Sequence, residues 1–114
     1  MNNLQYLFAI MSDIQNLVDE IKKSTDFQIN KKNLKEKILA DLHITYRNGL
    51  FLITRELLAF LYCWEENELF LEDIYQNPVQ INKDEFLTLC KQHYFKVMNE
   101  WYIQFNELKL QRSI

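Results

Sequence analysis

Gly49 and Pro78 are the only glycine and the only proline in 114 residues. A sheet protein of this size needs a tight turn every ~8–12 residues and places glycine in most of them. A chain so poor in turn formers reads as mostly helical. The same scarcity excludes two large enzyme classes, because the dinucleotide fingerprint and the Walker loop both need several glycines to bring backbone amides onto phosphate.

Periodicity supports the helical reading. Leu4, Leu7, Phe8, Met11, Ile14, Leu17, Val18 and Ile21 recur at helical spacing, with Gln5, Ser12, Asn16, Asp19, Glu20 and Lys23 between them, which predicts an amphipathic helix over residues 3–23. Residues 24–30 break the pattern. Asn30 or Asn33 then caps a second helix whose inward face is Leu34, Ile38, Leu42 and Tyr46, and Gly49 is read as its left-handed stop. The letters around that stop, Tyr46 to Phe51, also spell a tight hairpin that faces Ile44 and Tyr46 with Phe51 and Ile53. Of the two, the helix is preferred.

Residues 50–64 are apolar nearly all round, interrupted only by Thr54, Arg55 and Glu56, which predicts a central helix enclosed by its neighbours, with Leu58, Phe60 and Leu61 buried. Asn67 then caps a short acidic helix that carries Leu69, Phe70, Ile74 and Tyr75 and stops before Pro78. The stretch INKDEF is the sharpest local signal: Asn82 with Glu85 three residues on resembles a capping box, and Ile81 and Phe86 form a hydrophobic staple. The helix it opens runs unbroken over residues 83–110, about 42 Å at 1.5 Å per residue. The expected fold is therefore all-α: a single domain over residues 1–114, with four long helices, one short acidic helix and a long C-terminal helix as the organising element.

Net charge is −3 and the pI about 5.4, which gives the protein no long-range attraction for nucleic acid or an anionic membrane. The opening MNNLQYLFAIMSDIQ has neither the cationic start nor the cleavage site of a secretory signal, and two cysteines read as free thiols, so the expected location is the cytoplasm. His43, Cys63, Cys90 and His93 are every histidine and cysteine in the chain. They are the candidates for a zinc site or for a thiolate and its base, but cysteines set in apolar runs are more often core residues. The segment 22–37 holds six lysines, Lys22, Lys23, Lys31, Lys32, Lys35 and Lys37, against Asp26 and Glu36, a patch that fits phosphates or simply water.

The C-terminal helix carries more aromatic residues than one core stripe requires. Met98, Trp101, Tyr102 and Phe105 are the expected partner contacts, with an overhanging end that includes the last three, and the acidic Glu66, Glu68, Glu72 and Asp73 are placed to meet a basic surface. These observations lead to an expectation of a small non-enzymatic interaction protein, an adaptor or stoichiometric inhibitor of the kind encoded by phage or accessory bacterial genes. It is expected to be a homodimer in isolation, without cofactor or metal. A metal- or thiol-based protein using the four soft ligands and a nucleic-acid module using the lysines are the alternatives.

Overall fold

Asn2 opens the first helix by accepting the Gln5 N–H at 2.9 Å, an N-cap that satisfies one of the otherwise unpaired amides of the first turn. In this computed structural model, which describes residues 2–113, that helix, α1, runs without interruption over Asn3–Asp41, 39 residues. The break expected at residues 24–30 does not occur. Nothing in that stretch forbids a helix, and Phe27, at its middle, is buried with Leu34 and Ile38 on one face of α1. The Phe27 ring meets Phe105 at 6.3 Å and the Arg112 guanidinium at 4.9 Å, so packing carries the helix across a segment with little periodicity of its own.

After α1 come two strands, β1 (His43–Tyr46) and β2 (Gly49–Leu52), paired antiparallel with Ile44 opposite Phe51 and Tyr46 opposite Gly49. The hairpin is thus the correct reading of this segment. Arg47 and Asn48 have φ of 47° and 67°, the double left-handed geometry of the two-residue turn whose twist matches that of the flanking strands. Gly49 is not left-handed. It is required for close approach: a Cβ there would lie 2.7 Å from Val79 Cγ2 and 2.8 Å from the Phe51 ring.

The expected central helix is divided between β2 and a short helix, α2 (Arg55–Cys63), capped by Thr54, whose hydroxyl accepts the Leu57 N–H at 3.0 Å. Only one side of α2 is covered. Leu61 is fully buried and Leu57 and Leu58 are partly buried, whereas Phe60 and Tyr62 face solvent. The expected acidic helix is a second hairpin, β3 (Glu68–Glu72) with β4 (Pro78–Asn82). Leu69 pairs with Ile81 and both point into the core, while Phe70 and Gln80 pair and point outward, the period-two alternation of a half-buried sheet.

The final helix, α3 (Lys83–Ser113), starts where the sequence places it. Asn82 accepts the Glu85 N–H at 3.1 Å, and Ile81 and Phe86 are both fully buried. Phe86 sits at the centre of the core, its ring 4.8 Å from Tyr46 and 5.0 Å from Phe51. α3 runs antiparallel to the second half of α1: His93 donates to the Asp41 carbonyl, Lys35 lies over Trp101, and Phe27 meets Phe105. Over the described residues the fold is three helices and two hairpins, and the four-long-helix bundle is corrected accordingly.

This pairing leaves the first half of α1 without a neighbour. The molecule measures 82 × 24 × 19 Å with a radius of gyration of 23.7 Å, whereas a compact domain of this length would be near ~13 Å. Residues 3–22, about 30 Å of helix, project from a head formed by the rest of the chain, and Lys23 and Asp26 at the edge of that head line a cleft with Leu108, Gln111 and Arg112. The overhang expected at the end of α3 belongs to α1. Trp101 and Phe105 are partly buried against that helix instead.

Candidate functional site

The projecting arm carries a continuous apolar stripe. Leu4, Leu7, Met11, Ile14, Val18 and Ile21 alternate by three and four residues, the a and d positions of three consecutive heptads. All are open to solvent, from Val18 at 50 % to Met11 at 63 %. Phe8, Ile10 and Leu17 flank the stripe and are also exposed.

The stripe is not an unfinished extension of the head's core. At about 100° per residue, Val18 and Phe27 lie on opposite sides of α1, so the face that holds α3 points away from the stripe. A longer α3 would not have covered it. Downstream, the same heptad positions become Thr25, Gln28, Lys32 and Lys35, so the apolar series ends near the point where α3 begins to pack. Exposed apolar surface of this extent is uncommon on a monomer.

Next to the arm, the lysines of residues 22–37 are spread along α1. Lys35 lies 4.4 Å from the Trp101 ring and Lys37 donates to Gln104 Oε1 at 3.4 Å. Lys31, Lys32, Lys35, Trp101 and Phe105 line an open cleft of about 470 Å³. Of the residues expected to meet a partner, Tyr102 is exposed, while Met98, Trp101 and Phe105 are partly buried. Glu66, Glu68 and Glu72 are exposed around β3, and Glu68 accepts from Gln80 at 3.3 Å. Asp73 is buried in the β3–β4 loop, where it accepts three backbone N–H groups, from Leu50, Tyr75 and Asn77.

The soft ligands are not brought together. Among the described residues no three His, Cys, Asp or Glu side chains lie close enough to hold a metal ion. Cys63 is exposed on α2, and Cys90 is fully enclosed in the core, where burial pushes its thiol up to about 11. A thiol held so far above neutral pH supplies almost no thiolate. Both histidines serve the end of α1: His43 Nδ1–H donates to the carbonyls of Leu39 (3.0 Å) and Ala40 (3.1 Å), and His93 Nε2–H donates to that of Asp41. α1 has no basic residue in its last turn, and these imidazoles satisfy carbonyls the helix leaves unpaired.

No helix among the described residues is long and apolar enough to cross a membrane. Comparison with protein-family models, curated proteins and solved structures found no match.

The arm stripe was visible in the sequence as periodicity, but its freedom was not. Amphipathic spacing looks the same whether a helix faces its own core or a separate partner. The three-four alternation at a and d suits a helix that packs along another helix, but Phe8, Ile10 and Leu17 widen it to the face a globular helix also shows.

Proposed function

We propose that the protein is a small non-enzymatic assembly factor that engages a protein partner through the apolar stripe of the α1 arm. The observation that carries this reading is the opposition of the stripe to the face that holds α3: the head leaves six heptad positions uncovered and directed away from itself. Two further facts support it. An isolated helix of this length is marginal in water and gains its stability from packing along an amphipathic face. The head also encloses Cys90 and holds both imidazoles on backbone carbonyls, while Cys63 is exposed.

The role is that of an adaptor or a stoichiometric inhibitor, in which a rigid arm presents a helix and the head carries further recognition elements, including the exposed Tyr102 and the acidic Glu66 and Glu72. The test is affinity capture from the native cell with the wild-type chain and with a Met11→Gln, Val18→Gln variant, both identified by mass spectrometry. Specific proteins, this chain itself included, should be retained by the first and lost by the second. Equal retention by both would remove the arm from the binding surface.

A further inference from the structure

We infer that the arm stripe is covered by a second copy of this chain, with two arms paired antiparallel as a short coiled coil and the two heads at opposite ends. The inference rests on the arm being an association surface and adds its occupant. Three features of the arm carry it.

The first is the symmetry of the apolar series. It begins at Leu4 and ends at Ile21, so an antiparallel pair centred between Ser12 and Asp13 sets Leu4 against Ile21, Leu7 against Val18 and Met11 against Ile14 of the second copy, an a residue facing a d residue in every layer. The tip at Asn3 then reaches the level of Lys22 of the second copy, just short of Lys23, where the end of α3 begins to line a cleft with its own α1. The free length of the arm equals the overlap the pairing requires.

The second is the flank. Ile10 and Leu17 occupy g positions beside the seam. Antiparallel packing brings g against g, so Ile10 meets Leu17 of the second copy on both sides of the centre. Parallel packing would instead set Ile10 against Gln15 and Leu17 against Lys22, leaving each apolar side chain beside a polar one. Charge favours the same direction. Residues 3–12 carry no charge, whereas 13–26 hold four acids against Lys22 and Lys23. Antiparallel arms place each charged half beside an uncharged half, and parallel arms would stack the two net-negative halves.

The third is area. The exposed side chains of the stripe and its flanks offer on the order of 800 Å² per copy, the share one partner contributes to a standard stable interface.

The experiment uses the full-length chain. Sedimentation equilibrium should give twice the 13.9 kDa chain mass at micromolar concentration, and a Met11→Gln, Ile14→Gln variant should weaken association at least 100-fold. Tryptophan fluorescence of that variant reports whether the head stays folded. Orientation is read in a Cys63→Ser background by mixing one chain carrying Asn3→Cys with another carrying Ser24→Cys and adding a short bismaleimide. Cross-linking of the mixture, with little in either chain alone, supports antiparallel arms. Cross-linking within each chain alone overturns that arrangement. A monomeric wild type overturns self-pairing. In that case, loss of captured proteins by the stripe variant would leave the association reading standing, and indifference of capture to the stripe would remove both.

Discussion

The carboxylate of Asp73 accepts the backbone N–H of Leu50 at 3.3 Å, joining two hairpins that share no strand pairing. The link is reciprocal, because the Ile74 N–H donates to the Leu50 carbonyl at 2.9 Å. The other oxygen of Asp73 holds the β3–β4 loop by accepting from Asn77 at 2.9 Å and Tyr75 at 3.0 Å. One buried side chain therefore shapes its own loop and ties that loop to the preceding hairpin.

This arrangement makes the junction acid-sensitive. The Asn77 N–H contributes most to holding the Asp73 carboxyl below its usual value of 3.8, burial opposes it, and the Leu50 and Tyr75 N–H groups lower it further. A carboxyl with a depressed folded-state value stabilises the fold above its unfolded value and loses that contribution as pH falls through the folded one. Asp73→Asn keeps an acceptor for the loop but turns an N–H₂ toward the Leu50 N–H. Thermal melts should show the variant below wild type at pH 6, with the gap closing as the pH is taken well below 3.8. A gap that stays constant with pH would mean that the charge of Asp73 is immaterial.

Gly49→Ala should destabilise the protein by about 1–3 kcal/mol, the range for forcing an extra carbon into packed surroundings. Replacing a strand glycine by alanine ordinarily helps by about 0.5–1 kcal/mol, so the sign is informative. Urea denaturation measures it. A stabilised variant would show that Val79 and Phe51 move aside at no cost.

Leu61→Ala should cost about 2–5 kcal/mol, since its side chain is wholly enclosed. Phe60, its neighbour, is 45 % exposed, and Phe60→Ala should cost distinctly less despite removing more carbon. Chemical denaturation of both variants tests whether α2 has one covered side.

A thiol reagent at pH 8 should label one cysteine per chain in the native protein. Cys63 is exposed, whereas Cys90 is enclosed and pushed up to about 11, so Cys90 should react only at the rate of unfolding. Labelling in denaturant should bring both to the same rate. Fast native labelling of Cys90 would indicate that the core opens between α2 and α3.

Much of the helix content was legible because its signals are local. The Asn82 cap, the Ile81 and Phe86 staple and the absence of any breaker afterwards place the start of α3, and the spacing from Leu4 to Ile21 places the start of α1. The two hairpins were misread where the local signal is short. Leu69 and Ile81 in β3 and β4 lie in five-residue runs, over which period two and period 3.6 are hardly distinguishable. Tyr46 to Phe51 carried both readings, and the turn at Arg47 and Asn48 became decisive only with Phe86 packed beneath the hairpin.

The sequence by itself determined which residues are apolar, at what spacing, and where two long helices begin. Tertiary structure alone decided that α1 continues through residues 24–30, since Phe27 needs Phe105 and Arg112 to bury it, and that residues 43–52 and 68–82 pair as strands, since a two-stranded hairpin is marginal by itself and is held by the core it packs on. It also decided which helix projects. Heptad spacing specifies a stripe, but only the placement of α3 on the opposite face leaves the stripe of α1 bare, because a helix is covered by what packs on it and not by its own pattern.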